Sequence, residues 1–94
     1  MKTLTLPIKG KYFRQIVAGE KLEEYRLATP YWARRLEGRS YDRIEITLGY
    51  PKRDDKARRA VRIWNDYTVK QITHEHFGPD PVTVYAIDVS EAAQ

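Results

Sequence analysis

The chain has no cysteine among its 94 residues. That excludes a disulfide framework and a thiolate metal site. A domain this short buries only about two-thirds of the surface its unfolded chain exposes, so one hydrophobic core has to suffice without covalent staples. Five glycines and five prolines are too few for a low-complexity or collagen-like chain, and they read as punctuation between elements. No apolar run approaches the roughly 20 residues that span a bilayer. The opening "MKTLTLPIKG" has no apolar signal core either. A cytoplasmic protein with no membrane partner is the expectation, and no cofactor is implied.

Apolar residues make up 41% and charged residues 32%, which excludes a disordered chain and fits one globular domain over residues 1–94. Lys plus Arg number 17 against 13 Asp plus Glu, a net charge of +4. The excess points mildly to a polyanionic partner, and the placement of the cations matters more than their sum.

Periodicity orders the elements. "TLTLPI", Thr3 to Ile8, alternates Leu4, Leu6 and Ile8 and predicts a strand. "GKYFRQIVAG" groups Tyr12, Phe13, Ile16 and Val17 at helical spacing and ends on Gly19, a residue able to take the positive φ of a helix terminator. In "LEEYRL" a strand puts Glu23, Tyr25 and Leu27 on one face and Leu22, Glu24 and Arg26 on the other. "TPYWARRLEG" has Thr29 at an N-cap, Pro30 at the first helical position and Gly38 as terminator. "YDRIEITLGY" predicts a strand on Ile44, Ile46 and Leu48.

"PKRDDK" breaks that strand. "ARRAVRIWNDY" resumes alternation, with Val61 and Ile63 expected inward and Arg62 and Trp64 outward. "TVKQITHEHFGPDP" fits a strand edge or a helical turn leading into a loop. "VTVYAIDV" is apolar on both faces, as a central strand is. Tyr12, Phe13, Tyr25, Trp32 and Tyr85 are expected in the core. Two short helices cannot supply the crossovers of a doubly wound parallel sheet. The fold class is therefore α+β, a small, mostly antiparallel barrel or strongly curved mixed sheet with two helices in its N-terminal half.

One charged cluster stands out. "GEKLEEYR" spaces Gly19, Lys21, Glu24 and Arg26 as G-x-K-x-x-E-x-R between the first helix and the second strand. Glu24 and Arg26, two apart in a strand, share a face with backbones about 7 Å apart, close enough for their side chains to pair. Lys21, at the turn, reaches over the same cleft. Lys21 and Arg26 can hold a phosphate while Glu24 orients the arginine or accepts from a base or a sugar hydroxyl. The competing reading is a structural ion pair closing the end of the barrel, worth roughly 0–1 kcal/mol if exposed.

With its strand-helix-strand setting, this motif resembles the ASCH domain family, over essentially the whole chain. The resemblance implies a PUA-like β-barrel with a cleft beside the motif and a function tied to RNA: binding, processing, or chemistry on modified nucleosides. In family members that remove the acetyl group from N(4)-acetylcytidine, the pattern is a lysine followed three positions later by a nucleophilic threonine, with a distant glutamate. Lys21 matches the lysine. Glu24 stands at the threonine position, where a carboxylate cannot serve as the hydroxyl nucleophile, and Glu75 is the candidate for the distant glutamate.

A second basic cluster joins Lys52, Arg53, Lys56, Arg58, Arg59 and Arg62 with Tyr50, Trp64 and Tyr67 close by. Guanidinium groups interleaved with flat rings suit single-stranded RNA, so Arg58, Arg59, Arg62 and Trp64 join the candidate ligand contacts. "HEH", residues 74–76, is too sparse for a metal site and reads as a surface turn. Ligand binding in the cleft, to RNA or a nucleotide-like molecule, is the expected function. A hydrolase using Lys21 as base with Glu24 or Glu75 as partner, and a module docking an acidic protein, are the alternatives.

Overall fold

The structure, a computed structural model, describes residues 1–93. Eight regular elements follow in order: β1 (Thr3–Ile8), α1 (Gly10–Val17), β2 (Glu23–Leu27), α2 (Pro30–Leu36), β3 (Arg43–Leu48), β4 (Arg59–Ile63), β5 (Tyr67–His74) and β6 (Gly78–Asp88). Short 3₁₀ turns precede β4 and β6. The six strands form two three-stranded sheets, β1-β3-β4 and β2-β6-β5. β1 runs parallel to β3, and the other pairings are antiparallel. Among the described residues no helix is long and apolar enough to cross a membrane.

Local chemistry accounts for the helices. Trp32 donates its backbone N–H to the Thr29 hydroxyl at 3.4 Å, and Pro30 sits at the first position of α2, so an orphan donor is satisfied and φ is preset. Gly19 takes φ +79° just past α1, and the turn it allows lets Glu20 and Lys21 both donate to the Gln15 carbonyl, at 2.9 and 3.1 Å.

The core lies between the sheets and the helices. Leu4, Leu6, Ile8, Ile44 and Ile46 face Tyr85, Ile87 and Val89, with Phe13 and Ile16 of α1 and Leu36 of α2 packed in. Each fully buried Leu or Ile contributes roughly 1.5–3 kcal/mol. Phe13 and Tyr85 are buried as expected, and Tyr12 and Trp32, partly covered, pack on the core; Tyr25 is partly covered, and all three rings also line a cleft.

Two expectations are corrected. The strands do not close into one ladder. After β6 the chain runs along the free edge of β4, where Ile63 donates to Glu91 at 2.8 Å and Ala93 donates to Val61 at 3.3 Å, so the two sheets approach each other there. On the other side no ladder joins the edge strands β1 and β2 among the described residues. Pro7 lies in β1 and has no N–H to offer a neighbouring strand, as is usual for proline on an edge.

The second correction is the face of β4. Ala60 pairs with Ile46 and Arg62 with Ile44, and both of those isoleucines are fully buried. Residues directly opposite share a face, so Ala60, Arg62 and Trp64 point toward the core and Val61 and Ile63 away from it. An arginine is tolerated inside because its guanidinium donates to the Ile16 carbonyl at the end of α1, at 3.1 Å. The ambiguous segment, residues 68–81, holds most of the edge strand β5, whose pairing with β6 shifts register between Ile72 and His74, then a 3₁₀ turn, and from Gly78 the start of β6 where a loop was expected.

Candidate functional site

The gap between β1 and β2 opens into a cavity of about 640 Å³, within the range of small-molecule sites. Its floor comes from β2. Glu24 pairs with Ile87 and Arg26 with Tyr85, so both charged side chains sit on the face where the sheet carries its core residues. Glu24 is only 7% exposed. One of its oxygens accepts from Arg26 Nη2 at 3.1 Å, and the other lies 3.7 Å from Lys21 Nζ. Arg26 Nη2 also donates to the Pro7 carbonyl at 2.8 Å, which ties β2 to β1 where their backbones do not pair. Arg26 Nε is buried with no partner among the described residues.

Rings surround the three charges. Lys21 Nζ lies 4.4 Å from the centre of the Tyr25 ring and 5.5 Å from that of Tyr12, and the Arg26 guanidinium lies 5.0 Å from the Trp32 ring. All are within cation–π distance. His74, His76 and Phe77 form one rim, and Leu48, Gly49 and Tyr50 at the end of β3 form another. His74 rests against both Tyr12 and Tyr25, with centroids 5.7 and 6.0 Å apart.

Burial dominates the electrostatics. It pushes the Glu24 carboxyl above its ordinary value, against the pull of Arg26 and Lys21. It also holds the Lys21 ammonium below its ordinary value, against the pull of Glu24. Each ionised group therefore lacks full compensation for the water it has lost. At 3.7 Å, Lys21 is ion-paired with Glu24 at a separation longer than an ordinary hydrogen bond.

Lys21, Glu24 and Arg26, singled out by spacing, are thus brought together in one cavity. The second basic cluster is not brought to it. Arg59 donates to Glu45 at 2.6 Å and to the carbonyls of Pro51 and Lys52 at 3.2 and 3.1 Å. Arg62 is committed to Ile16 and Val61. Trp64 stacks edge-on against Tyr41, centroids 5.1 Å apart, and packs on the core. Arg58 is exposed and paired with Asp55 at 3.1 Å. None of the four lines the cavity.

Glu75, the candidate distant glutamate, turns away from the trio and pairs with Lys11 on α1 at 2.6 Å. His74 and His76 do reach the cavity, yet no group of three or more His, Asp or Glu that could hold a metal occurs among the described residues. Trp32, Tyr50, His76 and Phe77 were not foreseen as lining. The available signal was Thr29 and Pro30, which place Trp32 one helical turn beyond the end of the charged strand. No known protein family, curated protein or solved structure matches the chain.

Proposed function

We propose that the chain is a PUA-like ASCH domain of the cytoplasm that binds a nucleotide, free or within RNA, in the cleft between β1 and β2. One observation carries this reading: the buried carboxylate of Glu24, the partly covered cations Lys21 and Arg26, and the rings of Tyr12, Tyr25 and Trp32 share a single cavity of about 640 Å³. A base is flat and stacks on such rings. Lys21 and Arg26 offer donors to phosphate, and Glu24 accepts from an exocyclic amine or a sugar hydroxyl. Of the described residues lining the cavity, Glu24 is the one carboxylate beside the cations Lys9, Lys21 and Arg26, a balance that favours an anionic ligand.

Calorimetric titration with the four nucleoside 5′-monophosphates, followed in parallel by the fluorescence of Trp32, tests the proposal. Saturable heat and a fluorescence change that disappears in Trp32→Phe are expected, with Trp64 as an internal control. If no nucleotide gives either signal, the reading fails and docking of an acidic protein on the basic surface replaces it.

The lowered proton affinity of Lys21 favours a second reading, a hydrolase acting on a modified nucleoside or on RNA. Lys21 as free amine would take a proton from attacking water, and Glu24, whose protonated form burial favours, would return one to the leaving group. Removal of the acetyl group from N(4)-acetylcytidine is expected to be absent or very weak, because no hydroxyl nucleophile stands at position 24. Turnover of that nucleoside by the purified protein would show that another residue supplies the missing nucleophile.

A further inference from the structure

The loop after β3 raises a question that the cavity alone does not answer. Tyr50 is 91% exposed although it borders the cavity, so its ring contributes little to folding. Its backbone is nevertheless held on both sides. Before it, Gly49 donates to the Ile8 carbonyl at 3.0 Å, and the Thr47 hydroxyl donates to the Gly49 carbonyl at 2.8 Å. Gly49 turns the chain at φ +64°, a conformation glycine takes without strain. After it, the Arg59 guanidinium grips the carbonyls of Pro51 and Lys52 while Glu45 fixes that guanidinium. The ring therefore projects from a pre-organised backbone, which lowers the ordering cost of binding on it.

Cations accompany the ring. Lys9 lies on the cavity rim, and Lys52 and Arg53 follow Tyr50 in the loop; all three are exposed and have no ion-pair partner among the described residues. Asp55 is occupied by Arg58, which leaves Asp54 to oppose them. Lys52 is two residues from Tyr50, at most about 7 Å of extended backbone, so it can meet the phosphate of a nucleotide whose base lies on the ring. A flat ring followed by cations is complementary to a stacked base and its phosphate, whereas an acidic peptide would leave the ring without a partner.

We propose that Tyr50, with Lys52 and Arg53, forms a second stacking subsite beside the cavity, so that the ligand is single-stranded RNA with one base in the cavity and its neighbour on Tyr50. Arg59 is then a positioning residue that sets the loop. The proposal rests on the nucleotide reading of the cleft.

Binding of a random-sequence hexaribonucleotide and of the four nucleoside 5′-monophosphates is measured for the wild type, Tyr50→Ala and Lys52→Gln/Arg53→Gln across a range of salt. The wild type is expected to hold the hexanucleotide more tightly than any monophosphate. Tyr50→Ala weakens the hexanucleotide about five- to a hundredfold, a larger factor than it imposes on monophosphates. The loop double variant lowers the salt slope by about 1.4, that is roughly 0.7 for each lost phosphate contact, and leaves monophosphate affinity unchanged. Melting temperatures stay at the wild-type value. If monophosphates bind but the hexanucleotide is no tighter, or is insensitive to both variants, the second subsite is refuted while the cleft reading stands. Displacement of the hexanucleotide by an acidic peptide that leaves bound monophosphate in place also refutes it, in favour of a protein partner. Failure of every monophosphate to bind overturns both.

Discussion

Substituting Glu24→Gln is expected to stabilise the protein at neutral pH, the reverse of what a structural ion pair would do. Burial raises the Glu24 carboxyl above its ordinary value despite Arg26 and Lys21, so the folded state favours its protonated form. For a group shifted in this direction, the stability it contributes is complete below the unfolded-state value and is lost as pH rises through the folded-state value. Glutamine mimics the neutral carboxyl at every pH. Its side-chain oxygen still accepts from Arg26 Nη2, now as a weaker neutral acceptor, while the cost of burying the charge is gone.

A gain in stability at pH 7 is therefore expected, and for a domain of this size each kcal/mol of it raises Tm by about 4–8 °C. Thermal melts of both proteins from pH 4 to pH 8 should coincide at the acidic end and separate as pH rises. Were Glu24 a stabilising partner of the two partly covered cations, its loss would instead cost about 3–5 kcal/mol. A fall of Tm by more than about 10 °C at pH 7 would thus refute the reasoning and make the trio a strut.

Burial lowers the Lys21 ammonium below its ordinary value, so between the lowered and ordinary values the unfolded chain binds more protons and stability rises with pH; urea midpoints of wild type minus Lys21→Met should increase from pH 8 to pH 10. Trp64→Ala is expected to lose about 2–4 kcal/mol of stability, because the ring packs on the core, and to leave monophosphate binding intact; an unchanged melt with weakened RNA binding would restore Trp64 as a stacking platform. Ile46→Ala should cost about 3–5 kcal/mol and Ile63→Ala about 1–2 kcal/mol, since Ile46 is fully buried and Ile63 lies on the outer face; equal losses in denaturant melts would contradict the face assigned to β4. Glu24→Ala or Lys21→Ala should change which monophosphate binds best, as a carboxylate beside a cation reads base edges; a uniform loss across all four would confine the pair to charge alone.

The first five elements were legible because local signals decide them. Leu4, Leu6 and Ile8 alternate, Thr29 caps, and Gly19 and Gly38 terminate. The Glu24–Arg26 contact was legible for the same reason, since two residues apart in a strand means one face. What escaped depends on distant partners. β5 is an edge strand whose Val69 is 60% exposed, and Val69 and Ile72 point to opposite faces, so no apolar alternation marks it. In β4 the apolar character of Val61 and Ile63 suggested burial, but the register with β3 places Arg62 inside, where the Ile16 carbonyl receives it. The order of strands in the sheets has no local signature. Nor has the ring lining of the cavity, which is assembled from α1, β2, α2, the end of β3 and the turn after β5.

The most direct test of the central claim is a titration of ¹⁵N-labelled protein with nucleoside 5′-monophosphates, following amide and indole shifts. Binding in the cleft should move Lys21 through Leu27, the Trp32 indole and His74 through Phe77 along saturable paths, and leave Arg58 and Arg62 in place. Shifts confined to Arg58 and its neighbours, or no shifts with any nucleotide at millimolar concentration, would contradict the account.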